Sequence, residues 1–131
     1  MAKGEDPPLG ESTAALKAVL DRMPGASAAA GPGPSAGVLL YKVMGKMFAI
    51  LSIRKTAFVI VKCDPHLIDV LKGHYQGIGH RGHLDRRYWI AVDLDADVPL
   101  SEVERLVAHS YDLVRAGLTK KQKAELAALS G

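Results

Sequence analysis

Basic and aromatic side chains stand next to each other in the string HLDRRYW. Arg86 and Arg87 directly precede Tyr88 and Trp89, the only tryptophan of the chain. Arginine binds phosphate and aromatic rings stack on nucleobases, so this pattern is typical of surfaces that bind nucleic acid. The same pattern occurs in an ordinary β-hairpin, where alternation sends one ring to the core and the other to the surface. Both interpretations are open at the level of this motif.

Positive charge is concentrated in the middle of the chain. The net charge is +3, but residues 42–87 carry nine Lys and Arg against three acids. A basic region attracts polyanions, although a solvated surface of mixed charge is the alternative. We expect weak, salt-sensitive and largely sequence-neutral binding of nucleic acid, because phosphate contacts position a partner without specifying its sequence. DNA is the first candidate partner. The predicted phosphate contacts are Lys46, Arg54, Lys55, Lys62, Arg81, Arg86 and Arg87.

A second set of residues predicts a different function, the binding of a small molecule or peptide in a groove beside the sheet, without catalysis. Ligand sites are usually concave and apolar, with a few well-placed polar groups. The residues predicted to line this groove are Lys46, His83, Tyr88, Trp89 and Tyr111. If they form one site, Lys46 approaches Trp89, where a cation over an indole contributes roughly 0.5–2 kcal/mol.

Catalysis, cofactors and metals are not predicted. Cys63 is the only cysteine, and no spacing pairs it with a general base. Residues 77–82, GIGHRG, match the letters of the dinucleotide fingerprint, but a helix is predicted before them and a strand after them, the reverse of what that site needs. His74, His80 and His83 lack the further ligands that would complete a zinc site. We therefore predict a binding protein and not an enzyme.

The chain is predicted to be one cytoplasmic domain, residues 12–131, after a disordered N-terminus, residues 1–11. The first twelve residues lack the pattern of a signal peptide, and no apolar run reaches the roughly 20 residues that span a bilayer. A single cysteine fits a reducing compartment. No membrane partner is expected, and the oligomeric state is left open between monomer and weak dimer.

Hydrophobic periodicity predicts a helix and then three strands in the first half. Leu16, Val19 and Leu20 fall on one face of a helix that ends at Pro24. Residues 26–37, rich in Ala, Gly and Pro, are predicted to be a loop. Strands are predicted over residues 38–43, 47–53 and 57–63. The connections between them are short, so the strands form an antiparallel meander.

The second half is predicted to contain a helix, a hairpin and two further helices. Asp64 and Pro65 form a strong helix start, and the inner face of that helix is predicted to carry Leu67, Val70, Leu71, His74 and Tyr75. Strands are predicted over residues 79–84 and 87–94, with residues 85 and 86 at the hairpin tip. Ser101 and Glu104 form a capping box in the sequence. Thr119 opens a last short helix with Leu126 and Leu129 inward.

These elements predict an α+β fold in which an antiparallel five-stranded sheet has helices on one face. The predicted order is α-β-β-β-α-β-β-α-α, without an internal repeat. The core is predicted to contain Phe48 or Ile50, Val59 or Ile60, Leu71, Trp89, Leu106 and Val107.

Four strings in this order resemble the MmcQ/YjbR family. They are YKVMGKMFA at residues 41–49, VKCDP at 61–65, HLDRRYW at 83–89 and SYDLV at 110–114. The resemblance covers about residues 41–123 and implies the order α-β(3)-α-β(2)-α, a layout related to secretion chaperones. It also implies DNA as a partner, because members are often labelled DNA-binding from two hairpins that suggest a double wing. That label is an analogy from shape, and a fold does not fix a function.

Overall fold

The computed structural model describes residues 10–31, 37–54 and 56–130, without the side chain of Ser130. Residues 1–9, most of the segment predicted to be disordered, and Lys55, a predicted phosphate contact, lie outside these ranges. The elements are α1 (Glu11–Asp21), β1 (Ala26–Ala30), β2 (Val38–Val43), β3 (Lys46–Ser52), β4 (Phe58–Lys62), α2 (Pro65–His74), β5 (Ile78–Gly79), β6 (Trp89–Asp93), α3 (Leu100–Ala116) and α4 (Lys120–Ser130).

The sheet has six strands in the order β1-β2-β3-β4-β6-β5, and every neighbouring pair is antiparallel. The prediction of five strands is therefore wrong, because residues 26–30 form β1 where a loop was expected. Alanine has little preference for strands, but β1 pairs with β2 along its whole length, from Ala26 opposite Val43 to Ala30 opposite Leu39. Tertiary pairing overrides the local preference here.

The hairpin predicted near the middle of the second half is also different. β5 contains only Ile78 and Gly79, and β6 begins at Trp89, so residues 80–88 form a loop instead of a tight turn at residues 85 and 86. The backbone N–H of Cys63 donates to the carbonyl of Tyr88 at 2.7 Å, which fixes the end of this loop against the end of β4.

One face of the sheet, called here the helix face, carries the core. Residues from all four helices join a single buried cluster with it. On the paired strands β4 and β6, Phe58 lies opposite Asp93 and Lys62 opposite Trp89. Side chains alternate between the two faces along each strand, so paired residues of β4 and β6 lie on the same face. The strand residues of the cluster are Tyr41, Val43, Phe48, Ala49, Leu51, Val59, Val61, Ile90 and Val92.

A β-bulge decides which residues of β3 enter the core. The register shifts after Tyr41, which faces Ala49, while Lys42 faces Met47. Phe48 is therefore the extra residue, and both Phe48 and Ala49 are fully buried. The Phe48 ring contacts Tyr111 edge-on, with centroids 5.4 Å apart.

The prediction that Trp89 belongs to the core is wrong. Trp89 is half-buried, and its neighbour Ile90, which is 1% exposed, occupies the core position. The alternation of side chains along a strand cannot decide which of these two neighbours faces the core, because Trp89 and Ile90 are both apolar. The predicted core positions Val59, Leu106 and Val107 are confirmed.

The buried face of α2 and the start of α3 differ from the predictions. In α2 the buried residues are Ile68 and Leu71, whereas Leu67 is 42% and Val70 66% exposed, so the predicted inner face is rotated. Four of the five residues 67–71 are apolar, so more than one set of them could face inward, and docking against the sheet selects Ile68 and Leu71. Helix α3 begins at Leu100 after Pro99, and no side-chain cap from Ser101 forms.

Two predicted helix boundaries are confirmed. Asp64 caps α2 by accepting from the backbone N–H of His66. Thr119 and Gln122 exchange two hydrogen bonds between side chain and backbone at the start of α4. Of the two leucines predicted to face inward from α4, Leu126 is buried and Leu129 is 69% exposed.

Candidate functional site

The opposite side of the sheet, called here the open face, carries apolar and aromatic side chains without joining the core. Strand pairing places one row of residues across its four central strands, Leu40 beside Ile50, Ile60 and Ala91. Ile60, which lies between Ile50 and Ala91 in this row, is 6% exposed. Among the described residues, the helices contribute their buried side chains to the other face. An apolar surface that the described helices leave open is typical of interaction sites.

One end of the open face is an arginine-rich hollow around Phe58. The Arg81 guanidinium lies over the Phe58 ring, 4.5 Å from its centroid. Arg54 lines the same shallow pocket of about 320 Å³, together with Val38, Ser52 and Thr56. Two of the predicted phosphate contacts are thereby brought together around one aromatic ring.

Local structure explains why both arginines reach this hollow. Gly37, at φ 96°, lies directly under the Arg54 side chain, and any Cβ at residue 37 would overlap it. Ser52 accepts from the Arg54 backbone N–H and donates to the Thr56 carbonyl at 2.7 Å, which tightens the turn. Arg81 follows β5 on the far side of β6, where Gly79 lies opposite the small Ala91, and all three residues line one pocket.

The other end of the open face pairs a lysine with the tryptophan. Lys62 and Trp89 lie directly opposite each other on β4 and β6. Lys42 of β2 falls on the same side, because its neighbours Tyr41 and Val43 are both in the core cluster. Cross-strand neighbours have Cβ atoms roughly 4.5–5.5 Å apart, so the Lys62 stem and the Trp89 ring are within contact distance.

The described strand residues of the open face carry more basic than acidic side chains, and two arginines lie at its rim. Lys42, Lys62, Arg54 and Arg81 lie on or around it, whereas Asp93, opposite Phe58, is the one acid among the described strand residues of this side. Such an excess of cations over a low-dielectric surface raises the local concentration of anions.

The Ser-Tyr motif of α3 is structural and lies on the helix face. Ser110 Oγ donates to the Phe48 carbonyl at 2.6 Å and accepts from the Lys62 backbone N–H at 2.8 Å. It thereby replaces the hydrogen bond that β3 and β4 would exchange where they diverge. Tyr111 donates to the Pro24 carbonyl at 2.6 Å, and burial raises the pKa of its hydroxyl.

The five residues predicted to line a groove do not converge. Lys46 pairs with Val43, a residue of the helix face, so the register places Lys46 and Trp89 on opposite sides of the sheet. Tyr111 lies under the helix face. His83 is exposed in the 80–88 loop, and Tyr88 is 41% exposed at its end.

The arginine pair of the 80–88 loop is only partly available. Arg87 forms an ion pair with Asp85 at 2.8 Å and lies over the Tyr88 ring. The hydrogen bond from the Arg87 side chain holds the pKa of Asp85 below its usual range. Arg86 is exposed in the same loop. Both residues are thus at the margin of the open face and not within it.

The residues first considered for chemistry have structural partners. Burial, reinforced by Asp64, raises the pKa of Cys63 to about 11, so the thiol is protonated at neutral pH. The Asp97 carboxylate accepts from the backbone N–H groups of Gln76 and Gly77 at the start of GIGHRG. His80 contacts the Leu84 carbonyl at 2.6 Å. In residues 10–31, 37–54 and 56–130 no three His, Cys, Asp or Glu side chains are grouped to hold a metal ion.

Two residues of the open face were missed from the sequence. Phe58 and Lys42 were assigned only to strands, although a signal was present, since Phe58 is four residues from Lys62 and therefore on its face.

A separate groove of about 720 Å³ lies between α3, α4 and Pro24, and Tyr111 is the one predicted groove residue that lines it. Within the described part of the chain, no helix is both long and apolar enough to traverse a bilayer.

Comparison with known proteins finds relatives of the whole sheet region. The sequence matches the YjbR family model over residues 21–113. The uncharacterized protein YbdF of Escherichia coli O157:H7 is 28% identical over 85 residues, 64% of this chain and 70% of that protein. The crystal structure of Deinococcus radiodurans protein DR2400, a DUF419 domain, superimposes with a TM-score of 0.74 at 31% identity and covers 86% of this chain and 85% of that one. A Pseudomonas syringae structure shares the fold, with a TM-score of 0.57 at 19% identity over 67% of this chain and 86% of that one.

Proposed function

Because the chain belongs to the YjbR family, whose function is unknown, we propose a function from the geometry of the open face. That function is weak, salt-sensitive and largely sequence-neutral binding of nucleic acid, without catalysis. The observation that carries the proposal is the placement of Arg54, Arg81, Lys62 and Lys42 around a face that bears Phe58 and Trp89 and that none of the described helices covers.

The dimensions of the face suit a polyanion. Phe58 and Lys62 are four residues apart on β4, so the arginine end and the lysine end are separated by roughly 13 Å. A flexible phosphate chain can contact both ends at once, whereas a single small anion cannot. Four phosphate contacts correspond to a slope of about −3 to −4 when the logarithm of the binding constant is plotted against that of salt concentration.

The interface proposed here differs from a double wing. A wing would use the tips of hairpins, but Arg87 is bonded to Asp85 and the 80–88 segment is a loop. Arg86 and Arg87 then contribute long-range attraction at the margin, and the contacts are made by the face itself. Lys46, on the other side of the sheet by register, is expected to contribute little.

Charge reversal at matched positions tests the proposal. A labelled DNA of about 20 nucleotides is titrated at low salt, with fluorescence anisotropy as the readout. The double variant Lys62→Glu, Arg81→Glu is expected to weaken binding at least tenfold. The control Lys120→Glu, Lys121→Glu places the same charges on exposed positions of α4 and is expected to change binding less than twofold.

Two results would remove this function. One is no binding by the native protein at tens of micromolar in low salt. The other is an equal loss in the open-face and α4 variants, which would mean that only net charge matters.

The helix-side groove supports a second candidate, the binding of a small molecule. Its volume of about 720 Å³ lies in the range of ligand sites, and its lining combines apolar residues such as Pro24 and Leu126 with Lys123 and Arg115. Arg115 is ion-paired at 3.4 Å with Asp112, which lines the same groove. In a thermal-shift screen of small amphipathic acids, a true ligand is expected to stabilise the native protein but not Ala116→Trp, which fills the groove. A screen without such a compound argues against this candidate.

A further inference from the structure

We infer that the open face discriminates single-stranded from duplex nucleic acid by stacking unpaired bases on Trp89 and on the Arg81–Phe58 pair. The inference rests on the proposed function, since it specifies which form of nucleic acid that face takes. It adds a contact with the bases to the attraction by charge, because phosphate contacts alone bind single-stranded and duplex nucleic acid alike.

The two stacking positions are already formed. Trp89 is half-buried on the face, so part of its indole remains accessible beside the Lys62 stem. At the other end, the Arg81 guanidinium covers the Phe58 ring at 4.5 Å while Arg81 itself is exposed. A guanidinium is planar, and when one side rests on an aromatic ring the other side is available to a base.

The surface between these positions suits bases better than a duplex. It is apolar, with Ile50 and Ile60 in the central row, and cations lie at both ends. Unpaired bases can lie flat on such a sheet while the backbone follows the cations. A duplex keeps its base faces stacked inside, so it offers only phosphates and groove edges. Stacking therefore adds affinity for the single strand alone.

The charge of the face argues against a second copy of the chain as the occupant. In a twofold dimer the same patch meets itself, and Arg54, Arg81, Lys42 and Lys62 of one copy would face those of the other with Asp93 as the one described strand acid of the side. Like charges brought together in this way oppose association, whereas a polyanion neutralises them.

The intrinsic fluorescence of the native protein gives a direct test, because Trp89 is the only tryptophan. The chain is titrated with an oligothymidine of roughly eight nucleotides, within the usual site sizes, and with a duplex at equal nucleotide concentration. We expect saturable quenching by the single strand, little quenching by the duplex, and at least about tenfold tighter binding of the single strand by anisotropy.

Arg81→Lys separates stacking from charge. This variant keeps the positive charge but loses the planar group, so single-strand affinity is expected to fall about fivefold while duplex affinity stays within twofold. Phe58→Leu, which removes the ring under Arg81, should act in the same direction. Thermal melts of both variants confirm that the fold is retained.

The outcomes distinguish this inference from the function on which it rests. If neither form of DNA binds, the proposed function fails. If both forms bind equally and Trp89 is not quenched, nucleic-acid binding stands and stacking is overturned. If the protein sediments as a dimer with Trp89 protected from acrylamide quenching, the face is occupied by a second copy and the inference is overturned.

Discussion

The two faces of the sheet contain similar side chains and are used in opposite ways. On the helix face, Phe48, Leu51 and Val59 are fully buried by helices. On the open face, Phe58, Ile50 and Trp89 are only half-buried, with cations at their margin. The residue types alone do not distinguish the faces. What distinguishes them is coverage, so the helix face should respond to mutation by losing stability and the open face by losing binding.

The largest difference is expected between two aromatic residues. Phe48→Ala removes a fully buried ring and should lower the free energy of unfolding by about 3–5 kcal/mol. Trp89→Leu changes a half-buried ring on the open face. It should lower the free energy of unfolding by less than about 1.5 kcal/mol, because little buried apolar area is lost. Chemical denaturation followed by circular dichroism measures both. Equal losses would mean that Trp89 is a core residue after all.

The next effect concerns two serines of α3. Ser110→Ala leaves the Phe48 carbonyl and the Lys62 N–H without their shared partner in a buried place, at a cost of about 2–3 kcal/mol. Ser101→Ala is the matched control, since Ser101 is exposed and makes no capping bond. It should be neutral within about 0.5 kcal/mol. If Ser101→Ala is the more damaging, the capping box predicted from the sequence is real.

A smaller loss is expected from one hydroxyl on the helix face. Tyr111→Phe keeps the ring contact with Phe48 but removes the hydrogen bond to the Pro24 carbonyl, which should cost about 1 kcal/mol. Tyr88→Phe, at a position 41% exposed, is the control and should change stability little. A neutral Tyr111→Phe would show that the turn after α1 is held to α3 by packing and not by this hydrogen bond.

The last effect concerns Cys63, whose contribution to stability changes only at high pH and whose reactivity differs already near neutral pH. The fold holds the thiol neutral with a pKa of about 11, whereas an exposed thiol ionises near 8.5. Stability from this group is therefore complete below about pH 8.5 and is lost as the pH rises through about 11. At pH 8, a disulfide exchange reagent should react at least tenfold more slowly with the folded chain than with the unfolded chain in denaturant. Equal rates would show that the thiol is accessible.

Much of the fold could be predicted because its signals are local. Asp64 followed by Pro65 can start a helix whatever lies around it, and Thr119 with Gln122 caps α4 through two bonds within one turn. The turn at Met44 and Gly45 has positive φ at both residues, as a two-residue hairpin requires. In these places the sequence contains both partners of the interaction.

The candidate site could be predicted only in part. The basic residues were identified by charge, but which of them share a surface depends on strand register. Arg54 and Arg81 are 27 positions apart and meet at Phe58 only because β4 and β6 are neighbours and β5 pairs on the far side of β6. The same register separates Lys46 from Trp89, which the motif had suggested to be close.

The sequence by itself determined the alternation, the helix starts and the tight turn, because these depend on interactions within a few residues. Only the tertiary structure decided that residues 26–30 are a strand, that Phe48 is an extra residue of a bulge, and that Ile90 and not Trp89 enters the core. In each case the local preference is weak or divided between two outcomes. The choice is then made by backbone hydrogen bonds and buried area that come from a distant part of the chain.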